Sequence, residues 1–386
     1  MSAHKPLKGV RILSVEQYGA GPYGTMLLAD LGAEVIKIED PARGGDVSRC
    51  VGPFMLGDQD SEFFQTFSLG KKSVALDLKS KEGRGVFERL VASADAVANN
   101  LRGDQPGKLG LTYEDLKSVN PKIVCAHLSA YGRGNSREAW PGYDYLMQAE
   151  AGFMTMTGEP DGPPVRFGLS MVDFHTGTQM ALGLVSAVLG AQRSGEGCDI
   201  DVCLFDTALH QLSYPATWYL NHGHETGRLP RGAHPSIAPS QLVKTKDGWG
   251  LLMCQTEKFW DLFCERTSSE HFASDPRFKT IAARRENLDA LTDAIDAVLS
   301  QETTEAWVSK FAGCVPFAPV LSLADALDSD YVAQVEMTSR TSHPEAGSGL
   351  RTLSSPFRVN GERPKLSRAP KLGEHTSDFT PAAYRV

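Results

Sequence analysis

One aspartate stands directly before a long apolar stretch of the sequence. Asp173 lies in the segment 170–177, and residues 174–193 are predicted to form a single helix. At such a place an aspartate either caps the helix or, once desolvated, acts as a nucleophile, and the spacing alone favours the cap. The helix dipole is expected to keep the carboxyl ionised. Gly168 and Gly177 are expected to let backbone N–H groups approach a developing oxyanion.

A glycine-rich turn follows the first predicted strand. Residues 19–24 read G-A-G-P-Y-G, the spacing G-x-G-x-x-G between a strand and a helix. In a dinucleotide fingerprint the first glycine follows the strand almost directly, whereas here Glu16, Gln17 and Tyr18 intervene. Three interpretations stay open: a dinucleotide loop, a tight turn alone, or a loop for another nucleotide-bearing ligand. The last is favoured.

The charge balance restricts the partners of the chain. Its 386 residues carry 39 basic and 47 acidic side chains, a formal net charge of −8. A general binder of nucleic acid or of an anionic membrane needs a basic surface, so neither is expected. A polyanionic small molecule stays possible, because a pocket can concentrate basic groups that the average hides.

Cysteine usage and hydropathy bear on the compartment. The seven cysteines are scattered without a C-x-x-C pair, which favours a reducing cytoplasm over a disulfide framework or a zinc site. Neither a signal peptide nor a membrane span is predicted. His222 and His224 lack acidic or cysteine neighbours, so no metal is expected.

The elements that must position these residues alternate along the first half of the chain. Short β-branched or alternating segments separated by helical ones predict an open α/β sheet with parallel strands. The predicted strands are residues 10–15, 35–38, 74–78, 96–98, 123–128 and 198–204. From about residue 225 the pattern changes to a hairpin around Asp247-Gly248 and helices near 259–266 and 286–299, which predicts a smaller α+β domain. An extended tail, residues 342–376, follows.

Several segments are specific enough to indicate a family. They are residues 19–39, 70–77, 99–103, 142–145, 161–173, 193–197 and 369–376. Together they resemble the class III coenzyme A transferases, the CaiB–BaiF family, over nearly the whole chain from residue 7 to about 376. The resemblance specifies the family and leaves the substrate open.

The resemblance implies an architecture. Members of the family have an α/β, Rossmann-like large domain with an inserted smaller α+β domain, and two subunits form an interlocked homodimer. Carried onto this chain, residues 1–224 form the first part of the large, CoA-binding domain and residues 225–330 the small domain. Residues 331–386 form a C-terminal segment that returns to the large domain.

The resemblance also implies a reaction. The aspartate before the long helix is the family nucleophile, and the matching residue is Asp173. Its carboxylate would attack an acyl-CoA and pass through an aspartyl anhydride and an aspartyl-CoA thioester to a free carboxylic acid. The CoA thioester is a substrate, and no permanently bound cofactor is expected.

CoA is a polyanion, so basic residues are expected to cluster where the first 110 residues meet its phosphates. The residues expected by motif position to contact CoA are Tyr18, Gly19, Ala20, Arg43, Lys71, Lys72, Asn100, Leu101, Arg102, Lys108 and Tyr131.

Differences from the oxalate-using members of the family narrow the range of expected substrates. The chain lacks a lysine near Ser129, and residues 231–236 lack a glycine run, which disfavours oxalate and favours small polar or dicarboxylic acids such as succinate. Arg231 and His234 are candidates for the far carboxylate. An α-methylacyl-CoA racemase of the same fold is the main alternative, but position 143 is tyrosine where the racemases have histidine. A non-catalytic CoA-binding protein is a further alternative.

Overall fold

Six parallel strands form the central sheet of the protein, whose computed structural model describes residues 4–380. The strands are β1 (Arg11–Val15), β2 (Glu34–Glu39), β3 (Lys72–Ala75), β4 (Ala96–Asn99), β5 (Val124–Ser129) and β6 (Cys198–Cys203). Their order is β3-β2-β1-β4-β5-β6, and every neighbouring pair is parallel. The predicted parallel α/β sheet is confirmed, with strand ends shifted by up to three residues.

Helices connect and cover these strands. They are α1 (Ala20–Asp30), α2 (Glu62–Ser68), α3 (Lys81–Val91), α4 (Gln105–Lys108), α5 (Tyr113–Leu116), α6 (Asp144–Glu150), α8 (Met171–Ser194) and α9 (Leu204–Gln211). The short helix α7 (Phe153–Met156) follows α6 along the chain and belongs to a second compact unit. Short 3₁₀ turns span Pro41–Arg43, Val47–Cys50 and Pro230–Gly232. Apolar residues of α3, among them Phe87 and Leu90, pack on sheet residues such as Leu13, Ile36 and Val97. The long helix α8 packs against α1, β5 and β6.

Two glycines let α1 and α8 touch backbone to backbone. A Cβ atom on Gly24 would lie 2.3 Å from the carbonyl oxygen of Gly177, and a Cβ atom on Gly177 would lie 2.3 Å from the carbonyl oxygen of Ala20. Neither position tolerates a side chain without a shift of backbone. Gly177 therefore serves helix packing, which corrects the expectation that it opens the backbone to an oxyanion.

The chain divides into two compact units. The first comprises Met1–Ala151, Gly168–Leu212 and Asp330–Val386, and the second comprises Gly152–Phe167 and Ser213–Ser329. The second unit thus begins earlier than the predicted boundary at residue 225 and takes in a short stretch before α8. Arg228 ties that stretch to its unit, because its guanidinium donates to carbonyl oxygens of Thr155, Glu159, Gly162 and Pro163.

The second unit is an α+β fold with its own core. Its elements, besides α7, are α10 (Ser213–His222), β7 (Ser240–Lys244), β8 (Trp249–Met253), α11 (Glu257–Arg266), α12 (His271–Ser274), α13 (Ile281–Glu286), α14 (Leu288–Leu299), α15 (Thr304–Phe311), β9 (Phe317–Pro319) and α16 (Leu323–Leu327). The strands form an antiparallel sheet in the order β7-β8-β9, and the predicted hairpin is its first pair. Trp260, Phe263 and Leu252 are central to the core.

The C-terminal segment, from Asp330, belongs to the first unit. It contains α17 (Asp330–Gln334), the hairpin β10 (Thr338–His343) and β11 (Ala346–Leu353), and α18 (Thr376–Phe379). Gln65 accepts a hydrogen bond from the backbone N–H of Ala369 at 2.9 Å, and Arg49 donates to the carbonyl of Pro370 at 3.1 Å. The sequence did not predict the hairpin, because its strands are polar and mostly exposed. Across residues 4–380, no helix is long and apolar enough to cross a membrane.

The glycine contact between α1 and α8 generates a stability prediction. Gly177→Ala is expected to lower the free energy of unfolding by about 1–3 kcal/mol, since the new methyl group meets backbone that cannot yield. Gly190→Ala is the matched control in the same helix. Gly190 is exposed with no atom within 4 Å of a built Cβ, so this change is expected to be neutral or to stabilise by up to about 1 kcal/mol. Urea denaturation measures both, and equal midpoints would contradict the packing argument.

Candidate active site

A cavity of about 630 Å³ opens at the edge of the sheet where the parallel strands end. The first residue after each of the six strands lines it, namely Glu16, Asp40, Leu76, Asn100, Ala130 and Leu204. The strand order reverses between β1 and β4, and open α/β sheets bind ligands at this kind of switch point. The fold therefore gathers the loops from β1 and β4 at one site.

Asp173 lines this cavity from the first turn of α8. The residue that precedes the helix is Ser170, so Asp173 is not the N-cap. Burial raises the pKa of Asp173 to about 7, and the nearby charge of Asp144 adds to the shift. Burial thus opposes the expected help from the helix N-terminus in keeping this carboxyl charged, because it disfavours the ionised form.

A second carboxyl group supports the first. Asp144 begins α6, is 3% exposed, and accepts a hydrogen bond from the backbone N–H of Asp173 at 3.0 Å. The amide of Gln148 donates to its other oxygen at 2.6 Å. Asp144 thus fixes the first turn of α8 and disfavours the ionised form of Asp173. A carboxyl that is poorly hydrated and titrates near neutrality is suited to act as a nucleophile or a base.

Each glycine of the glycine-rich turn has a separate packing role. A Cβ on Gly19 would lie 3.5 Å from Oδ2 of Asp173, so this glycine leaves space beside the carboxylate. A Cβ on Gly21 would lie 2.8 Å from Cβ of Asn100, and Gly24 meets α8. The G-x-G-x-x-G spacing thus reflects close packing around Asp173 and does not by itself indicate a dinucleotide.

Most of the residues predicted to contact the ligand line this cavity. They are Tyr18, Gly19, Ala20, Arg43, Asn100, Leu101 and Arg102, together with Asp173. Arg43 follows β2 and lies 3.5 Å from Asp40, and Arg102 follows β4 and lies 3.3 Å from Asp104. Both arginine side chains are largely exposed, so each is able to turn towards an anion.

Two of the predicted lysines have partners elsewhere. The ammonium group of Lys71 is fully buried and lies 2.8 Å from Glu16 and 2.8 Å from the hydroxyl of Thr25. Lys72 pairs with Glu34 at 2.6 Å. Neither lines the cavity, because Lys71 neutralises a buried acid and Lys72 lies at the start of its strand, away from the carboxyl ends. Both are corrections to the predicted contact set.

Lys108 and Tyr131 also lie outside the cavity lining. Lys108 is exposed on α4 and pairs with Asp104 at 2.6 Å. The hydroxyl of Tyr131 donates to Glu150 at 2.9 Å.

The sequence reasoning missed Lys79. It lines the cavity four residues beyond the end of β3, on the same sheet edge as the other loops. Its place after a predicted strand was a usable signal, because the carboxyl ends of parallel strands share one edge. Gly142 and Tyr143, which belong to a segment that carries the family resemblance but were not predicted as contacts, also line the cavity.

The net charge of the cavity lining is less negative than its number of acidic residues suggests, because buried cations neutralise some of these acids. Among its acids, Glu16 pairs with Lys71 at 2.8 Å and Glu39 pairs with Arg49 at 2.7 Å, all of them buried. Three cations, Arg43, Lys79 and Arg102, stand on the loops after β2, β3 and β4. These three cations lie among six acidic lining residues, so a basic cluster that meets the CoA phosphates stays a prediction. Within residues 4–380 no cluster of three or more histidine, cysteine or acidic side chains could hold a metal ion.

Comparison with known proteins decides the family. The sequence profile of CoA-transferase family III matches residues 7–376. The chain is 34% identical over 377 residues to acetyl-CoA:oxalate CoA-transferase of Acetobacter aceti, with 96% of this chain and 93% of that protein covered. This chain belongs to CoA-transferase family III. It is also 33% identical over 387 residues to succinate–glutarate CoA-transferase of Agrobacterium fabrum, with 96% and 94% covered.

A solved relative has the same fold. The crystal structure of a CAIB/BAIF family protein from Brucella suis superposes with a TM-score of 0.83 at 32% identity, covering 97% of this chain and 98% of that one. The expected CoA-transferase activity is thus confirmed, and the racemase alternative is not favoured, because these curated relatives are CoA-transferases. An acyl-CoA thioester is accordingly the substrate of a family III CoA-transferase.

The three cations of the lining generate a binding prediction. Arg43→Ala, Lys79→Ala and Arg102→Ala are each expected to weaken CoA binding about two- to tenfold, since solvent screens an exposed ion pair and leaves a contribution of about 0.5–1.5 kcal/mol. Isothermal titration with CoA measures the effect. Lys117→Ala is the matched control, because Lys117 is exposed and pairs with Glu114 outside the cavity. If all four variants bind like the wild type, the phosphates lie elsewhere.

Proposed function

We propose that this CoA-transferase moves CoA reversibly between an acyl-CoA and a free carboxylic acid through covalent intermediates on Asp173. One observation carries the proposal: a mostly buried carboxyl with a pKa near 7 faces the cavity beside Gly19, at the carboxyl edge of the sheet. The family relation supplies the reaction class, and this geometry supports Asp173 as the nucleophile.

The chemistry needs only the carboxylate and the thioester. Asp173 attacks the acyl carbonyl, the C–S bond breaks, and a mixed anhydride and a CoA thiolate form. The thiolate attacks the aspartyl carbonyl and releases the donor acid, which leaves an aspartyl-CoA thioester. The acceptor carboxylate attacks this thioester, and the same steps in reverse deliver its CoA ester. One thioester is exchanged for another, so no external energy source is required.

Desolvation makes the carboxylate reactive. A carboxylate in water is a weak nucleophile because its hydration shell must be removed, and a buried one has lost most of that shell. Asp144 holds the backbone of Asp173 and adds a repulsive charge that formation of the neutral aspartyl anhydride relieves. Gly19 leaves open the space beside Oδ2 into which the acyl carbonyl enters.

We infer that the acids exchanged are small and polar, with dicarboxylates such as succinate favoured. The relatives named succinate–glutarate and acetyl-CoA:oxalate CoA-transferase support this class, so oxalate returns as a candidate acceptor. Arg231 and His234 are no longer favoured as groups that bind the far carboxylate of the acid, because both side chains have partners within the protein. Arg231 pairs with Asp296 at 2.7 Å, and His234 lies 3.0 Å from the hydroxyl of Tyr214.

We infer a homodimer in the cytoplasm. Large apolar side chains are exposed, among them Leu182 (69%) and Leu189 (47%) on α8 and Leu220 (80%) on α10, and a second copy would cover them. The seven cysteines are all free thiols, which supports a reducing compartment.

A transfer assay tests the proposed activity. The protein is incubated with succinyl-CoA and a panel of acids that includes glutarate, oxalate and acetate, and the CoA esters are followed by mass. Transfer to at least one small acid is expected from the wild type. Asp173→Asn, which keeps the shape and removes the nucleophile, is expected to lower kcat by at least about 1000-fold. Full activity in this variant would rule out the mechanism.

The titration of Asp173 generates a pH prediction. Only its ionised form attacks, so kcat/KM is expected to rise with pH and to reach half its maximum near pH 7, falling about tenfold per unit below that. Asp144→Asn removes a repulsive charge and is expected to move this midpoint to lower pH. A flat profile between pH 5 and pH 8 would show that the carboxyl titrates as an exposed aspartate does.

A further inference from the structure

The backbone that leads from β1 to Gly19 is held by a fully buried lysine. Lys37 lies on β2, is 0% exposed, and donates to the carbonyl oxygen of Glu16 at 2.7 Å. Its ammonium group also lies 2.7 Å from Oδ2 of Asp46. The other oxygen of Asp46 accepts the backbone N–H of Tyr18 at 3.0 Å. Lys37 thus holds both ends of the segment from Glu16 to Tyr18, one directly and one through Asp46.

Both members of this pair stay charged. Burial alone would raise the pKa of Asp46, but Lys37 and the backbone N–H groups of Ser48 and Tyr18 lower it below its usual range. Burial alone would lower the pKa of Lys37, but Asp46 and the other nearby acids raise it. A buried pair of this kind contributes little net stability compared with an apolar pair, so we look for its role in the contacts that it makes.

The middle residue of the same segment, Gln17, is held by a residue that follows β4, the strand that pairs with β1. Asn100, directly after β4, accepts the backbone N–H of Gln17 at 2.8 Å and donates to its carbonyl oxygen at 2.6 Å. Three successive residues are therefore bound through their backbone by side chains of other loops and strands.

These hydrogen bonds hold Tyr18 in a strained backbone conformation. Tyr18 has φ of +70°, in the left-handed region that a residue with a side chain seldom adopts. Such a conformation costs about 1–3 kcal/mol and persists only where its surroundings determine it. The N–H bond to Asp46 and the ring contact with Phe63, at 5.2 Å between centroids, are those surroundings.

The position of Gly19 follows from Tyr18. Gly19 is the next residue, its carbonyl accepts the N–H of Tyr23 at 2.8 Å to begin α1, and a Cβ built on it would lie 3.5 Å from Oδ2 of Asp173. A movement of Tyr18 would carry Gly19 into or away from the space where the acyl carbonyl meets the carboxylate. Displacements of about 1 Å in a reacting geometry cost up to about 100-fold in rate.

We propose that Lys37 is a positioning residue of the transferase: through Asp46 and the Glu16 carbonyl it holds the Tyr18–Gly19 backbone against the nucleophile Asp173. The inference rests on the proposed function, since it assigns to Lys37 the alignment of that reaction. Lys37 is fully buried and so contacts no substrate, and any effect of its loss on catalysis passes through the loop.

Kinetics of two variants test the proposal. Lys37→Met keeps most of the side-chain volume and removes both contacts, and it is expected to lower kcat about 10- to 100-fold. The Kd for CoA is expected to change less than kcat, because Lys79 and Arg102 lie on loops that Lys37 does not contact. Lys37→Met leaves Asp46 as an unpaired buried charge, so its folding is checked by circular dichroism. The double variant Lys37→Met with Asp46→Asn removes that charge and keeps an acceptor for the Tyr18 N–H. It is expected to fold and still to show a lowered kcat, because the Glu16 carbonyl is no longer held.

Arg284→Met is the matched control. Arg284 is also a buried cation that donates to backbone carbonyl oxygens, those of Ala238 and Phe278 at 2.7 Å each, and to a carboxylate, that of Glu257 at 2.8 Å. Its loss is expected to lower stability and to leave kcat unchanged.

The outcomes separate the two claims. A folded Lys37 variant with wild-type kcat overturns the positioning role, and so does an equal fall of kcat in Arg284→Met, which would mark a general loss of stability. The proposed function is tested separately, by comparing the transfer activity of Asp173→Asn with that of the wild-type protein.

Discussion

The contact between the backbones of α1 and α8 determines where the reacting groups lie. Gly24 and Gly177 let the two helices approach until a Cβ on either would meet a carbonyl oxygen at 2.3 Å. Each helix starts near the cavity, so this approach brings the loop before α1 against the first turn of α8. Gly19 and Asp173 become neighbours for that reason. The remaining loops reach the same place because all six parallel strands end at one edge of the sheet.

Burial makes the Asp173 carboxylate reactive and also makes its ionised form unfavourable for the stability of the fold. The raised pKa means that ionising the carboxyl inside the fold disfavours the folded state, so stability from this group is greatest at low pH and is lost as the pH rises through about 7. Asp144 increases that cost while fixing the backbone of Asp173. The site thus holds a carboxylate in a less stable environment than water, and formation of the neutral anhydride or thioester removes that unfavourable charge.

Local patterns in the sequence were sufficient for the parallel sheet, the long helix and the hairpin near Asp247. Asp173 was singled out by the family resemblance, because its spacing alone favoured a helix cap. Of the predicted basic residues, Arg43 and Arg102 line the cavity and Lys71, Lys72 and Lys108 do not, because a motif position shows which loop a residue is on but not which way it points. Lys71 neutralises Glu16, an acid whose burial no local pattern reveals, and Lys79 was overlooked and lines the cavity. The raised pKa of Asp173 comes from burial and, second, from Asp144, and neither could be predicted because both depend on parts of the chain that are distant in sequence.

Mass spectrometry of the protein after mixing with an acyl-CoA, in the absence of an acceptor acid, tests the central claim most directly. Proteolysis after borohydride reduction or hydroxylamine trapping locates any activated carboxyl. The mechanism predicts that the modification lies on the peptide that contains Asp173 and is absent from Asp173→Asn. Modification of another carboxyl, or rapid CoA transfer by an enzyme that never becomes modified, would contradict it.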